Sequence, residues 1–439
     1  MSKDTSPLYS MGSQDFLKKD YLQTIQLERL QNIVTRAYNK IEVYKKRFDK
    51  FGVKPEDIKT LKDIERLPFT VKTDLRDTYP FGLFASPISE VVRLHASSGT
   101  TGKPIVVAYT KEDIQVWADS VRRACLAVGL SKDDIIQNSY GYGLFTGGLG
   151  LHYGIEALGA TVLPTSGGNT DRQIMLMQDF GVTAITCTPS YLTHIVNRAG
   201  ELGIDMKKLP IKIAILGAEP WTENMAEWFY TQAGIKAYDI YGLSEITGPG
   251  AGIQCQHGKG LHILEDYFYP EIIDPVTGKV LPDGEEGELV LTTLCKQAMP
   301  MIRYRTRDLT AIIPEECPCG RTIRRIKKIA RRIDDMFIIR GVNIFPSQIE
   351  AALLSVDGTL PNYQIVLTTE KGLDQATVEV EVTPEIFSDK IGALQQLKHK
   401  LEKALETTTN IRIGVSLVKM NTVQKSEGKA KRVVDNRVK

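Results

Sequence analysis

A loop near residue 100 combines small hydroxyl side chains, two glycines and one lysine, a composition suited to phosphate binding. Backbone N–H groups and hydroxyls can approach phosphate oxygens there without steric obstruction. It is not a Walker loop, which needs GKS or GKT at the start of a helix, because Pro104 and a strand-like run follow its lysine. Taken alone, the loop is equally typical of a surface hairpin. The residues assigned to phosphate binding are Ser97, Ser98, Gly99, Thr100, Thr101, Gly102 and Lys103.

Cysteines and histidines form a second group with possible chemistry. Cys317 and Cys319 lie in a loop flanked by Gly and Arg, and Cys255, His257 and His262 come earlier in the chain. Three thiolates and one imidazole satisfy a closed tetrahedral zinc site of the structural kind. We favour His262, because a strand-like run holds it more rigidly than the turn that contains His257. Three unrelated reduced cysteines are the alternative, because two-residue spacing is commoner in zinc sites.

An aromatic and glycine-rich segment follows an apparent strand near residue 138 and is a candidate acid pocket. Aromatic walls hold a flat apolar acid at little entropic cost, whereas a long fatty acid would need a tunnel that the sequence does not indicate. The alternative is that these side chains simply belong to the core. The candidate pocket residues are Tyr140, Tyr142, Phe145, Gly147 and Gly148.

The elements that must position these residues follow three patterns along the chain. Apolar residues between 15 and 48 recur every three or four positions, which indicates amphipathic helix. Strand-like and helix-like runs then alternate, as in a layered α/β domain with mostly parallel strands. From about 267 to 330 the pattern is β with tight turns. We therefore predict an α/β fold, with a large multi-subdomain domain over 1–333 and a small α+β domain over 334–439.

Composition excludes several classes of protein. The 439 residues exceed what one core usually supports, and the net charge of +2 gives no support for a nucleic-acid partner. No run approaches the roughly 18 apolar residues that span a bilayer, and the N-terminus lacks an apolar signal core, so we expect no membrane association and a cytoplasmic location. Cys125, Cys187 and Cys295 are isolated and are expected to be buried and reduced.

Six motifs in order carry a resemblance to the adenylate-forming enzymes. The loop SSGTTGKP is the first, and the others are GAEP from Gly217, YGLSE from Tyr241, RYRTRD from Arg303, RIDD from Arg332 and Gly428-Lys429. Stretches between the motifs sharpen this resemblance, over about residues 15 to 437, to the phenylacetate-CoA ligase family. They are YGYGLFTGGLGLHYG from Tyr140, YGLSEITGPG from Tyr241, EDYFYPEIIDP from Glu265 and MFIIRGVNIFPSQIE from Met336.

The resemblance implies a reaction in two steps. The carboxylate of a small aryl acid attacks the α-phosphorus of ATP, giving an acyl adenylate and pyrophosphate. The thiol of CoA then attacks the adenylate and AMP leaves. ATP and CoA are thus substrates, Mg²⁺ is required, and phenylacetate is the first candidate acid. A homodimer is expected by resemblance alone.

The resemblance also assigns residues to the nucleotide and to the acid. Asp308 accepts the ribose hydroxyls, and Tyr241 offers an aromatic face to adenine opposite the GAEP loop. Ile246, Thr247 and Pro249 form the opposite wall of the acid pocket. The full set assigned to the nucleotide beyond the phosphate loop is Ala218, Glu219, Pro220, Asp239, Tyr241, Gly242, Ser244, Asp308 and Arg332.

Two catalytic side chains and a hinge follow from the same resemblance. Glu245 is the carboxylate linked to Mg²⁺, and Lys429 supplies positive charge near the forming acyl–phosphate bond. Lys431 is the alternative, because only the Gly-Lys pairing selects Lys429 within a basic tail. Asp334 is the hinge about which the C-terminal domain rotates. Arg331 stands where the family usually has glycine, which narrows the dihedrals available just before the hinge.

Two other functions remain open at this point. A related adenylate-forming enzyme, coenzyme F390 synthetase, transfers AMP to a deazaflavin and not an acyl group to a thiol. A non-catalytic nucleotide-binding regulator would keep the fold, although the joint presence of Glu245, Asp308 and Lys429 argues against it.

Overall fold

The computed structural model describes residues 13–97, 104–329, 331–333, 336–339, 342–356, 359–370, 373–382, 391–420, 422–423 and 432–437. The predictions for Ser98 to Lys103, Asp334, Lys429 and Lys431 lie outside these residues.

Helices of the described residues alternate with strands over most of the chain. The α-helices are α1 (Lys19–Lys40), α2 (Glu42–Phe51), α3 (Lys72–Asp77), α4 (Lys111–Ala127), α5 (Gly147–Leu158), α6 (Thr170–Asp179), α7 (Pro189–Glu201), α8 (Glu223–Ala233), α9 (Pro346–Leu354) and α10 (Ile391–Thr409). Short 3-10 helices span Ser13–Phe16, Pro55–Asp57, Leu61–Arg66, Ile88–Glu90 and Met206–Lys208. Among the described helices, none combines the length and the apolar composition needed to cross a membrane.

Strands are numbered in chain order. They are β1 (Arg93–Ser97), β2 (Ile105–Tyr109), β3 (Ile135–Asn138), β4 (Thr161–Leu163), β5 (Ala184–Cys187), β6 (Ile213–Leu216), β7 (Lys236–Tyr241), β8 (Gly252–Ile253), β9 (Leu261–Ile263), β10 (Phe268–Ile273), β11 (Gly287–Thr293), β12 (Tyr304–Thr310), β13 (Ile312–Ile313), β14 (Arg325–Ile326), β15 (Arg331–Arg332), β16 (Phe337–Ile339), β17 (Val342–Ile344), β18 (Thr359–Glu370), β19 (Leu373–Val382), β20 (Gly414–Lys419) and β21 (Val433–Asp435).

The predicted N-terminal helical region consists of two helices, α1 and α2. They meet at Ile41, whose extended backbone ends the first helix and whose side chain is buried. Gly52 ends α2 in the left-handed region at φ +65°, which a residue without Cβ adopts at low cost. The apolar face of α1, with Leu30 and Ile33, packs into the main core.

A nine-stranded sheet forms the centre of the large region. Strands β4, β3, β5, β6 and β7 pair in parallel in that order, which confirms the predicted α/β layering. Side chains alternate across these strands: Ala184 and Ile215 pack in the same cluster as α4 and α5, whereas Ile185 and Ala214 pack with α6, α7 and α8. The sheet therefore has a helical layer on each face.

Beyond β7 the same sheet continues antiparallel through β8, β9, β14 and β13. The last two strands lie within 267–330, the range predicted for the β subdomain, yet they extend the central sheet. The other strands of that range, β10, β11 and β12, form a separate antiparallel sheet in that order, and β15 just beyond the range pairs with β12. Strands β1 and β2 form a hairpin in which Ser97 faces Ile105, so the phosphate loop joins two strands as predicted.

The C-terminal region has its own core. Strands β20, β19, β18 and β21 form one sheet and β16 and β17 a hairpin. Buried side chains from these strands and from α9 and α10, including Ile349, Ile365, Val378 and Leu401, form a cluster separate from the two larger ones.

Candidate active site

The predicted site residues follow the carboxyl ends of neighbouring parallel strands. Among them, Tyr140 follows β3, the GAEP loop from Gly217 follows β6 and Gly242 follows β7. Ser190, which the sequence did not single out, follows β5 at the same edge. Ligands of open α/β sheets bind in the crevice at this edge, because loops from several strands meet there.

Tyr140 joins two of these loops. Its hydroxyl accepts a hydrogen bond from the Gly217 backbone N at 2.8 Å and donates to the Gly217 carbonyl at 3.1 Å. Burial raises the pKa of Tyr140 well above its ordinary value, so the phenol stays protonated and can make both bonds. A Cβ on Gly217 would lie 2.5 Å from the Ile240 carbonyl oxygen, and Ala218 has φ +70°. The GAEP loop is thus held tightly against β7.

Glu219 in this loop is oriented by the start of α7. Its carboxylate accepts hydrogen bonds from the Ser190 backbone N at 3.2 Å and the Ser190 Oγ at 2.9 Å. The N-terminal turn of a helix favours negative charge, which fits this placement. Ala218 and Pro220, on either side, are exposed.

Three residues predicted to bind the nucleotide form one connected group. Asp308 on β12 pairs with Arg332 on β15, and their side chains form an ion pair at 2.9 Å. The Tyr241 hydroxyl donates to the other Asp308 oxygen at 2.5 Å. Burial, and then the charge of Asp308, raise the pKa of Tyr241 well above its ordinary value. Asp308 is itself buried, so the carboxylate is fixed from two sides.

Asp239 lies on β7 beside Leu216 of β6. Burial raises the pKa of its carboxyl group, and the charge of Lys328 partly offsets this shift. Burial in turn lowers the pKa of Lys328, whose Nζ lies over the ring of Trp221. After burial, the largest effect on the pKa of Asp239 thus comes from Lys328, a lysine that precedes the predicted hinge.

Glu245 is buried and is contacted from two directions. The Tyr304 hydroxyl donates to its Oε1 at 3.3 Å, and the Lys296 Nζ donates to its backbone carbonyl at 2.8 Å. Ser244 is held nearby, since its carbonyl accepts from the Tyr109 hydroxyl at 3.0 Å. Burial lowers the pKa of Lys296 to about 8. Sequence reasoning did not single out Lys296, although a lysine within the apolar stretch from Leu289 to Met301 was an available signal.

The aromatic segment after β3 differs from a simple apolar wall. The Tyr142 hydroxyl accepts from Asn138 Nδ2 at 2.7 Å and lies 3.1 Å from His152 Nδ1. Burial raises the pKa of Tyr142 to about 12. Phe145 is 52% exposed. The candidate pocket therefore has a polar chain behind Tyr142 and an open side at Phe145.

Gly147 and Gly148 lie in the first turn of α5. A Cβ on Gly148 would lie 2.4 Å from the Gly141 carbonyl oxygen, so the backbone of the loop fills the room that a side chain would need. Gly148, a candidate pocket residue, thus leaves no open space at its Cβ position. It serves the close approach of two backbone segments.

The opposite side of the candidate pocket is formed by the residues after Glu245. Ile246 and Thr247 are buried, and the Pro249 carbonyl accepts from Trp117 Nε1 at 2.9 Å. A Cβ on Gly242 would lie 2.6 Å from the Thr247 carbonyl oxygen. This segment therefore folds back on the YGLSE loop, which only glycine at 242 permits.

The cysteine and histidine residues meet at the junction of β9 with the loop before β14. Ligand atoms of Cys255, His262, Cys317 and Cys319 all lie within 4.8 Å of one another. The sulfurs of Cys255 and Cys317 are 3.6 Å apart, and Cys319 Sγ is 3.4 Å from His262 Nε2. His257 is exposed and outside this group. Hydrogen bonding with Cys255, and then with His262, lowers the pKa of Cys319, which favours the thiolate that binds metals.

Arg331, next to the predicted hinge, lies in β15 opposite Leu309. Its guanidinium pairs with Glu286 and lies 5.3 Å from the ring centroid of Phe345 in the C-terminal region. Extended backbone is open to every residue, so Arg331 is unstrained in this arrangement.

Family profiles match most of the chain. The family described as AMP-binding enzyme matches residues 64–296, and the AMP-binding enzyme C-terminal domain matches residues 341–437. The phenylacetate-coenzyme A ligase of Aromatoleum evansii is 50% identical over 428 residues, covering 96% of each chain. That of Thermus thermophilus is 47% identical over 435 residues, covering 96% of this chain and 98% of the relative.

A solved 2-hydroxyisobutyryl-CoA ligase is similar over nearly the whole structure. In its postadenylation state with 2-HIB-AMP it is 27% identical, with a TM-score of 0.91, covering 99% of this chain and 94% of that chain. In its thioesterification state, with 28% identity over 100% and 94% of the two chains, the TM-score is 0.72. The arrangement of the two regions here thus matches the postadenylation state better. With its ordered motifs, its connected Tyr241–Asp308–Arg332 group and relatives of this identity, the chain belongs to the phenylacetate-CoA ligase family of AMP-binding enzymes.

Proposed function

We propose that the protein activates an aryl acid, phenylacetate first among candidates, with ATP and transfers the acyl group to CoA. The observation that carries the proposal is the Tyr241–Asp308–Arg332 group, which joins the end of β7 to β12 and β15 of the second sheet. Glu245 and the aromatic segment follow β7 and β3 at one edge of the central sheet. The name of the Aromatoleum evansii relative, at 50% identity, supports the choice of acid.

In the first step, the nucleotide is bound by groups that are already fixed. Asp308 accepts from Tyr241, pairs with Arg332 and is assigned to the ribose hydroxyls, because a fixed carboxylate can accept hydrogen bonds from a diol. Adenine packs against Tyr241 and the GAEP loop, where stacking needs shape more than charge. The phosphate loop is expected to enclose the triphosphate.

Glu245 fits a role as ligand to Mg²⁺. Its carboxylate is buried, and within the described part of the chain its Oε1 accepts one hydrogen bond, at 3.3 Å, from Tyr304, which fits a carboxylate with lone pairs for a metal. Magnesium prefers oxygen ligands and keeps several waters, which one carboxylate plus phosphates allows. When bound, the ion neutralises charge that develops on the α-phosphate.

The acid is proposed to lie between the aromatic segment and the residues after Glu245. Because the Tyr142 hydroxyl already has Asn138 and His152 as partners, the ring is left to make apolar contact. Ile246 and Thr247 supply a buried opposite wall. A flat ring suits such a space better than a long flexible chain.

The C-terminal region is proposed to act differently in the two steps. Lys429 neutralises the forming acyl phosphate in the first step, and rotation at Asp334 then exchanges it for a face that binds CoA. A homodimer and a cytoplasmic location stay predictions that rest on resemblance and composition.

We also propose a structural zinc site at Cys255, His262, Cys317 and Cys319. Tetrahedral Zn–S bonds of about 2.3 Å place two sulfurs about 3.8 Å apart, close to the 3.6 Å between Cys255 and Cys317. His262 Nδ1 lies 3.3 Å from the Ile323 carbonyl; a proton on Nδ1 donates there and leaves Nε2 as the ligand. The metal would hold two loops together and take no part in catalysis.

A screen of acids tests the ligase. Purified protein with ATP, Mg²⁺ and CoA is expected to form AMP with phenylacetate and less with benzoate or a medium-chain fatty acid. One methylene in an apolar pocket changes discrimination by about 1–3 kcal/mol, so close aryl analogues should also react. Absence of AMP with every aryl acid contradicts the proposal. AMP transfer to a deazaflavin without a thiol would indicate the coenzyme F390 synthetase alternative.

A further inference from the structure

We propose that Lys296 is a positioning residue for the adenylation step. Its Nζ holds the backbone carbonyl of Glu245, which orients the Glu245 carboxylate toward Mg²⁺. The inference rests on the proposed role of Glu245 and extends it to a residue outside the six motifs.

The side chains of Lys296 and Tyr109 donate hydrogen bonds to the backbone carbonyls of two successive residues. Lys296 Nζ donates to the Glu245 carbonyl at 2.8 Å and lies 4.6 Å from the ring centroid of Tyr109. The Tyr109 hydroxyl donates to the Ser244 carbonyl at 3.0 Å. The two residues before Ile246 are thus fixed from the same side.

A second set of bonds makes Lys296 rigid. Asp113, in the first turn of α4, accepts from the backbone N of Gln297 at 2.6 Å and of Ala298 at 2.9 Å. Tyr109 in turn stacks on Trp117 with ring centroids 4.8 Å apart. The backbone directly after Lys296 is therefore held in place by Asp113, which fixes the position of the lysine.

A lysine at this depth calls for a function. Lys296 is 4% exposed, and taking an ammonium group out of water is unfavourable even with partners nearby. A methionine or leucine would fill similar space without that cost. The ammonium offers what an apolar chain lacks, a directed bond to the Glu245 carbonyl and positive charge near its carboxylate. Together with Tyr304 at Oε1, it fixes Glu245 at both ends.

Loss of this support should affect the Mg²⁺-dependent step alone. Without Nζ, the Glu245 carbonyl is left without that donor, and the carboxylate is free to turn away from the metal. Attack of CoA on a finished acyl adenylate does not require the triphosphate and its metal, so that half-reaction should change little.

The test compares full-length Lys296→Met with wild type in two assays: acid-dependent exchange of pyrophosphate into ATP across Mg²⁺ concentrations, and CoA-dependent consumption of synthetic phenylacetyl-AMP. We expect the Mg²⁺ concentration for half-maximal exchange to rise about tenfold or more. Thioester formation from the adenylate should stay within about threefold. An unchanged Mg²⁺ requirement, or an equal loss in both assays, overturns the inference.

Two further variants control the experiment. Lys212→Met removes a lysine that also donates to carbonyls, those of Lys207 and Leu209, but on an exposed surface; it should leave the Mg²⁺ requirement unchanged. Tyr109→Phe removes only the bond to Ser244 and should raise the requirement about threefold. If Lys296→Met fails to fold, the Mg²⁺ requirement of Tyr109→Phe is the test. An unchanged requirement in that variant overturns the inference.

Failure of the underlying assignment is recognised separately. If Glu245→Gln keeps the wild-type Mg²⁺ requirement, the role of Glu245 is wrong and this inference falls with it. If Glu245→Gln shifts the requirement and the Lys296 and Tyr109 variants do not, only the inference about Lys296 is wrong.

Discussion

The region through Ile333 and the region from Met336 hold their functional residues in different ways. In the first, the candidate nucleotide and acid residues lie on elements that share large continuous cores, and hydrogen bonds such as Tyr241 to Asp308 fix them. The second has a separate core and meets the first through limited contacts, among them Leu354 against the α6–α8 cluster and Arg331 near Phe345. We therefore propose that substrates bind to the first region and that the second region moves as a unit, a turn that would keep its own core and release the contacts of Leu354 and Phe345 with the first region.

The largest expected effect tests whether Lys429 serves only the first half-reaction. Lys429→Ala should slow pyrophosphate exchange by about 10²–10³-fold, because one positioned charge is lost from the transition state. Conversion of synthetic phenylacetyl-AMP to the thioester should stay within about threefold. Lys431→Ala is the matched control, with little change in either assay. Equal loss in both half-reactions would break the comparison.

Unlike Lys429→Ala, Asp308→Asn should weaken both half-reactions, because the first region is proposed to hold the nucleotide in both. Losing charge-assisted bonds of about 1.5–3 kcal/mol should lower kcat/KM for ATP about 10- to 150-fold. Binding of AMP, measured by calorimetry, should weaken as well. Asp274→Asn, in an exposed turn bonded to Thr277, is the control. Unchanged AMP binding would contradict the ribose assignment.

The zinc proposal predicts a loss of stability confined to the first region. Cys317→Ser should reduce bound zinc to less than about half an equivalent per chain, because one of four ligands is lost. A destabilisation of about 2 kcal/mol should lower Tm by about 3 °C in a region of roughly 320 residues, with kcat at 25 °C nearly unchanged. Cys125→Ser, in a buried site away from the cluster, controls for loss of a thiol. Wild-type protein purified without chelator and lacking zinc would remove the claim.

The smallest effect is expected at the connection between the regions. Arg331→Gly removes an ion pair with Glu286 worth about 0–1 kcal/mol and widens the dihedrals before Asp334. Each half-reaction alone should be unchanged, whereas steady-state turnover should change by about two- to threefold. Arg331→Lys should behave as wild type. A large loss in one isolated half-reaction would mean that Arg331 contributes to binding.

Local sequence pattern predicted the elements with clear periodicity. The amphipathic region predicted between 15 and 48 contains α1 and α2, and the alternating runs predicted after it contain the parallel strands β3 to β7. The pattern did not reveal α5, because glycine is a poor helix former. The structure explains the glycines: a Cβ on Gly150 would lie 2.2 Å from the Trp117 ring, and one on Gly154 2.2 Å from Val121. Close packing of α5 on α4 thus requires glycines, and these glycines lower the helix propensity by which a helix is predicted from sequence.

In the candidate site too, residues within local motifs could be predicted from sequence, whereas contacts between distant positions could not. Residues within motifs, such as Asp308 and Glu245, were selected from sequence, because short spacings carry the resemblance. Lys296 and its contact with Glu245 join positions far apart in the chain, and no local pattern encodes that distance. The same holds for β13 and β14, which are two residues long and have no periodicity to read.

The place proposed for Tyr140 in the acid pocket would limit how the acid preference can change. Because its hydroxyl bonds both backbone groups of Gly217, replacing Tyr140 to enlarge the acid side also releases the loop assigned to adenine. Variation in the wall at Ile246 and Thr247 carries no such bond to that loop among the described contacts. Laboratory evolution toward bulkier acids should therefore accumulate substitutions on that wall and leave Tyr140 in place.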